Sequence, residues 1–362
     1  MEENVVEEDQ LTAEEVVFVS VIGIALAVSV VCNILVLIVM LRTPKMMNPT
    51  NIFICNLTIS DILLSGIVIP QNIHDVSHAS TDYYEGDFLC RVVNFCPLMC
   101  IMASIYSMVA ISFERKRAII VSTAARPTIL VALKIIPAIW GLSFVFCIPT
   151  MYEYSAFQEP LENGTSITRC GSNGVSWTYT VLNGVALVML AYIVPLTLLL
   201  LNYGSILWFF HGRGVFGHAH VTDAALVQAQ ALYKGRMNVV KMLILVALLF
   251  ALSWLPYFAL LLLEKVTGKS DVSDIGPIFM LKIVLSVFST AYNFLLYVVY
   301  NRNFRAGFKA LFTCRRHQTR KNVVTPADEG QSPFPQGGNC GGPMAHNVTA
   351  SLSLQAREPT VS

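Results

Sequence analysis

The chain has 362 residues, 55% of them hydrophobic and only 13% charged, with a formal net charge of +1 and a mean hydropathy of +0.61. A soluble domain carries about 25% charged residues, so these values exclude a disordered protein, a collagen-like fibre and a disulfide-framed miniprotein. They also argue against a soluble two-domain enzyme and leave a polytopic membrane protein.

The first tail, 1–15, holds Glu2, Glu3, Glu7, Glu8, Asp9, Glu14 and Glu15 and no Lys or Arg. Met1 is followed by acids rather than a basic n-region, so no cleaved signal peptide is expected. Seven apolar segments follow, at 16–41, 50–73, 89–121, 128–152, 177–210, 236–264 and 276–300. Each is long enough for a hydrocarbon core of roughly 30 Å. They are continuous rather than alternating, so they predict helices, not barrel strands. The third, fifth and sixth run past the membrane. The expected architecture is an all-α membrane protein, a seven-transmembrane helix bundle over 16–301.

The flanking charges alternate in sign. Basic groups gather on the side of the last tail, with Arg302, Arg305, Lys309, Arg315, Arg316, Arg320, Lys321 and Arg357. Positive charge marks the cytoplasmic side. The N-terminus is therefore expected outside and the C-terminus inside a plasma membrane, which requires an odd number of spans.

The second span carries Asp61. A carboxylate at that depth costs at least about 2.5–3.5 kcal/mol, so it must face other helices. Its candidate partners are Asn33, Ser104, Ser289 and Asn293. A hydrated pocket for a small cation such as sodium and a hydrogen-bonded clasp without an ion both fit. The third span opens at Cys90 and closes at Glu114-Arg115. Adjacent opposite charges at a helix end can exchange partners as a switch, or serve as one more basic flank.

Of the nine cysteines, Cys32, Cys55, Cys96, Cys100 and Cys147 fall within spans and read as packed thiols. Cys314 and Cys340 fall inside. Cys90 and Cys170 fall outside, where an oxidising exterior favours a bridge between them. Asn163-Gly164-Thr165 is the N-x-S/T sequon placed outside and a glycosylation candidate. The outer segments are rich in acids: Asp75, Asp82, Glu85, Asp87, Glu153, Glu159, Glu162, Glu264, Asp271 and Asp274. A field of that sign concentrates cationic ligands, although solvated loop charges read the same way.

Two local patterns are set aside. Residues 212–217 fit G-x-G-x-x-G but follow an apolar span, with no βαβ unit to hold a dinucleotide. His218 and His220 are two apart, do not share a helix face and have no third ligand nearby. No nucleophile–base–acid set is evident, so no enzymatic activity is expected.

After the last span, Phe304, Phe308 and Phe312 recur with Arg302, Arg305 and Lys309 between them. This predicts an amphipathic surface helix over 302–312, a plain stop-transfer flank being the alternative. The segment 313–362 reads as a disordered cytoplasmic tail. Cys314 is a palmitoylation candidate or a free thiol. Thr319, Thr325, Ser332, Thr349, Ser351, Ser353, Thr360 and Ser362 are phosphorylation candidates for receptor kinases and arrestin-type partners, or generic tail composition.

Taken in order, these residues resemble the rhodopsin-like (class A) G-protein-coupled receptors. The matching features are Asn33, Asn56-Leu57-x-x-x-Asp61, Cys90, Glu114-Arg115, Trp140, Pro195 with Tyr203, Phe250-x-x-x-Trp254-x-Pro256 and Asn293-x-x-x-Tyr297. Residues 50–57 and 241–256 are most similar to neuropeptide receptors of the RFamide and neuropeptide Y kind. The resemblance implies a two-state bundle that an outside ligand shifts. Trp254 would floor the ligand pocket, with Phe250 one turn below and Pro256 as the bend of the sixth span. Arg115 would face the opened inner cavity between Tyr203 and Tyr297, where a heterotrimeric G protein docks. A basic or amidated neuropeptide is the expected ligand, with Gln71, Glu153, Glu264 and Trp254 as contacts. A small-molecule receptor, a receptor with no ligand, and a transporter or channel are the alternatives; no nucleic-acid partner is expected.

The chain departs from the family pattern at three places. Lys116 stands where an aromatic residue is usual, and Phe294 where proline is usual. Pro97 stands where amine receptors have Asp, which argues against a monoamine. Val287 takes the position of the retinal-binding lysine of opsins, so retinal is not expected as a ligand.

Overall fold

A computed structural model describes residues 13–43, 46–77, 86–120, 128–160, 164–212, 223–268 and 277–312. Nine α-helices, one π turn and one hairpin are found among them. The helices are α1 Ala13–Arg42, α2 Pro49–Ser77, α3 Gly86–Ile120 and α4 Ile129–Glu153. The strands β1 Tyr154–Pro160 and β2 Ser166–Ser172 pair antiparallel. The fifth span is α5 Trp177–Val188, a π turn at Met189–Ile193, and α6 Val194–Gly212. Then come α7 Asp223–Thr267, α8 Pro277–Tyr300 and α9 Arg302–Phe312.

Seven of these units are long and apolar enough to cross a membrane. The chain is a multi-pass membrane protein. The helix α1 begins at Ala13, three residues before the apolar span that opens at Val16. Continuous apolar sequence over these stretches leaves the helix as the form that satisfies each backbone group locally.

Local chemistry sets several ends. Asn48 accepts the Asn51 amide through Oδ1 at 3.1 Å, and Pro49 occupies the first helical position of α2. Ser176 caps α5 by accepting the Tyr179 amide. Asn301, between α8 and α9, accepts the Phe304 amide at 3.0 Å. Arg305 turns back to donate to the Val298 and Val299 carbonyls that end α8. Glycine 307 lets α9 lie against α1, since a Cβ there would stand 2.8 Å from Thr43 Oγ1 and 3.0 Å from Val39.

The main core cluster runs through α1 to α8 and is joined by Phe304 of α9; a smaller one packs Ile22 and Leu26 of α1 on Ile283 and Val287 of α8. Outward positions such as Ile24, Leu130, Leu200, Trp208, Leu252 and Val299 remain exposed, as lipid-facing side chains do. Below, the end of the bundle that carries β1 and β2 is the hairpin end, and the opposite end is the α9 end.

Candidate functional site

Polar side chains run through the middle of the bundle. Asp61 is buried and accepts from Asn293 Nδ2 at 2.7 Å and from Ser104 Oγ at 3.4 Å. These groups, with Ser289, line a cavity of about 10 Å³, room for one water-sized sphere. Asn293 Oδ1 is buried with no partner among the described residues. A carboxylate, two hydroxyls and an orphaned amide oxygen form an oxygen-only donor set of the kind a hard cation takes. The residues present therefore fit sodium. Asn33 does not join them. Its amide donates to the Thr290 carbonyl at 2.8 Å and to Ser29, stapling α1 to α8. That corrects its placement beside Asp61.

Asn56 and Trp140 belong to another tie. Asn56 accepts from Trp140 Nε1 at 2.9 Å and donates to Ser107 Oγ at 2.8 Å, so α2, α3 and α4 meet on one amide.

At the α9 end, Arg115 Nε donates to Glu114 Oε2 at 2.7 Å. Thr50 of α2 closes the set, donating to Glu114 and accepting from the Arg115 guanidinium. Tyr203 and Tyr297 are buried, and among the described residues no hydrogen bond joins either to Arg115. Lys116, in place of an aromatic residue, reaches Asn202 Oδ1 at 3.4 Å, and Asn202 in turn donates to Ser112 at 2.9 Å. Phe294, in place of proline, leaves α8 unbroken and packs its ring on Phe304 and Phe308.

Phe250 and Trp254 pack one turn apart, their rings tilted by 39° with centroids at 6.0 Å. Trp254, Leu64 and Ile101 line both the Asp61 cavity and a second one of about 40 Å³, which Ser65, Pro97, Tyr257, Ser286 and Val287 also line. Ser65 Oγ is buried with no partner among the described residues. Val287 faces this space, and no described residue lining it is a lysine.

The observation that decides the family is the match of the 7 transmembrane receptor (rhodopsin family) profile over residues 32–297. The chain belongs to that family. The receptor is 29% identical over 291 residues to the human neuromedin-K receptor, covering 80% of this chain and 60% of that protein. It is 28% identical over 313 residues to a QRFP-like peptide receptor of Branchiostoma floridae, covering 81% and 77%. It is also 28% identical over 314 residues to the rat neuropeptide FF receptor 2, covering 82% and 72%. The receptor chain spans about three fifths of the length of the neuromedin-K receptors it matches.

At the hairpin end of the receptor, Cys90 and Cys170 form a disulfide that pins β2 to α3. Asp87 accepts from the Ala156 amide at 3.0 Å and pairs with Arg91, fixing β1 beside it. The expected acidic mouth is altered by what these acids touch. Among the described residues Asp87 pairs with Arg91, Glu159 with Arg169, Glu264 with Lys282 at 4.0 Å, and Glu153 with Lys265. Glu153 is 0% exposed and also accepts from Asn183 at 2.7 Å. A carboxylate already neutralised and sealed is not a ligand contact, so that expectation is withdrawn. Glu264 remains half exposed.

Lys265, which sequence reasoning passed over, donates also to Tyr154 Oη at 3.1 Å. Burial raises the Tyr154 phenol above its ordinary value, with Lys265 pulling the other way. The π turn was also missed. It carries Tyr192, whose hydroxyl donates to the Ala251 carbonyl of α7 at 2.7 Å. Pro195 just beyond was the only signal for it.

The side chains of Gln71, Asp75 and Phe312 lie outside the described residues. So do Asp82, Glu85, Glu162, Asn163, Asp271, Asp274, residues 213–220, Cys314, Cys340 and the tail hydroxyls from Thr319 to Ser362.

Proposed function

We propose that this receptor binds an extracellular peptide at the hairpin end and activates heterotrimeric G proteins at the α9 end. The hairpin end then faces outside the plasma membrane and α9 the cytoplasm. The observation that carries the reading is the Thr50–Glu114–Arg115 set closing the α9 end beneath two aromatic rings, Phe250 and Trp254, on α7, the helix that holds Pro256 in its interior. The names of the relatives, receptors for neuromedin-K, QRFP-like and neuropeptide FF peptides, support a peptide ligand.

The ligand acts by differential affinity. It favours the packing in which the α9-end half of α7 swings outward. Arg115 then leaves Glu114 and Thr50, and the helix of a G protein fills the groove. Trp254 and Glu264 are the retained candidate contacts, with Gln71. A basic or amidated character of the peptide rests on Asp75, Asp82, Glu85, Glu162, Asp271 and Asp274, against which the flanking sequence sets only Lys269.

Sodium is part of the proposal. Asp61, Ser104, Ser289 and Asn293 would hold it. Its charge offsets that of the Asp61 carboxylate in a low-dielectric interior. In the outward-swung packing these side chains part, so the ion favours the closed state. Receptor kinases and arrestin are proposed to act on the tail, with palmitoylation at Cys314 and glycosylation at Asn163.

The test is nucleotide exchange on purified G proteins by the full chain in lipid discs, during a screen of amidated peptides. Peptide-dependent exchange is expected. Peptide binding without exchange on any G-protein class removes the coupling assignment.

A further inference from the structure

One buried ion pair is not used by the reading above. Glu153, the last residue of α4, and Lys265, near the end of α7, pair with side chains 0% and 7% exposed. Asn183 of α5 donates to the free carboxylate oxygen, and Tyr154 of β1 takes a second ammonium proton. The Lys265 Nζ also lies 4.5 Å from the Tyr154 ring centroid, a cation–π distance. Gly184 of α5 gives the Lys265 stem a close fit. A Cβ there would stand 3.0 Å from Lys265 Cγ. One residue on, Trp177 Nε1 donates to the Val266 carbonyl at 3.0 Å, satisfying a terminal acceptor of α7.

The other half of α7 is held differently. The last tie to the fifth span is Tyr192 on the Ala251 carbonyl, five residues before Pro256. Pro256 has no N–H to offer the preceding turn. Among the described residues, no side-chain hydrogen bond or ion pair reaches α7 between Tyr233 and Phe250. Among the described side chains, polar ties thus gather on the hairpin-end half and just before Pro256, and none is found from Tyr233 to Phe250.

A buried ion pair is poor evidence of stability, because an apolar pair of the same volume often does as well. What it does supply is a fixed position, since neither charge can leave its partner without being stranded in the protein interior. We propose that Glu153 and Lys265 are positioning residues that make the hairpin-end half of α7 a fixed arm on α4 and α5. Motion about Pro256 is thereby confined to the α9-end half. The purpose of that arm rests on the receptor reading; its rigidity does not.

The experiment uses the full chain in lipid discs without peptide or G protein. Spin labels at Leu182→Cys and Leu263→Cys report the hairpin end, and labels at Arg42→Cys and Lys241→Cys the α9 end; all four sites are exposed. In the wild-type background, the hairpin-end distance distribution is expected to be at least about twofold narrower than the other. Glu153→Gln or Lys265→Met is expected to widen it by about twofold or more. The exchange Glu153→Lys with Lys265→Glu is expected to narrow it again, because Asn183 and Tyr154 can each donate or accept. Equal widths at the two ends of the wild type overturn the proposal even if no variant folds. So does a folded single variant whose hairpin-end distribution is unchanged. Because no G protein is present, failed nucleotide exchange in the separate assay leaves this result standing.

Discussion

Asn33 donates to the Thr290 carbonyl at 2.8 Å, and Thr290 stands four residues before Phe294. In an unbroken α-helix that same carbonyl accepts the Phe294 amide. The family's usual proline at this position would remove the backbone donor, and Asn33 would remain as the carbonyl's partner. Phe294→Pro is therefore expected to cost less than the roughly 3 kcal/mol of an interior proline, apart from the lost ring contacts with Phe304 and Phe308. Adding Asn33→Ala should make the pair worse than the sum of the single variants. Thermal unfolding of the four proteins in lipid discs measures the coupling; strict additivity counts against it.

Tyr192 bonds the Ala251 carbonyl five residues before Pro256, the proposed bend. Tyr192→Phe keeps the ring contact with Phe258 and removes one hydrogen bond, worth about 0.5–1.5 kcal/mol. The unfolding midpoint should fall modestly. Opening of the α9 end, followed by a fluorophore on Lys241→Cys, should rise. An unchanged equilibrium would mean that the bend does not use this tie.

Reducing the Cys90–Cys170 bridge, or replacing Cys170 by Ser, should remove about 2–5 kcal/mol. It should also free β2 from α3 while leaving the seven helices intact. Circular dichroism and cell-surface expression separate the two effects.

Sodium should raise the unfolding midpoint over that in the same concentration of N-methylglucamine. Asp61→Asn should abolish the difference, because it removes the one carboxylate among the described residues that line the cavity. An equal sodium shift in the variant would move the ion elsewhere.

The helices were legible because continuous apolar runs leave no other structure in lipid, and the disulfide because only two cysteines fall outside. The residues proposed as a switch stand out in the sequence as types at fixed spacings. The partners of the polar groups were not. Glu153 reads as a mouth acid until the turn of α4 and Gly184 of α5 bring Lys265 onto it. Asn33 reads as a neighbour of Asp61, yet helix rotation aims it at α8. The π turn adds a residue to one helical turn, and its partners, Tyr106 of α3 on the Leu190 carbonyl and the Ala251 carbonyl of α7 under Tyr192, are distant in sequence.

The central claim is that the α9 end opens when Arg115 is released. Glu114→Gln removes the carboxylate that holds it, a charged hydrogen bond worth about 1.5–3 kcal/mol. Nucleotide exchange by one G protein of each heterotrimer class, with full-length receptor in lipid discs and no peptide, measures the consequence. The account predicts a several-fold higher basal rate for Glu114→Gln than for the wild type with at least one class. Equal rates for the two folded proteins across all classes would contradict it.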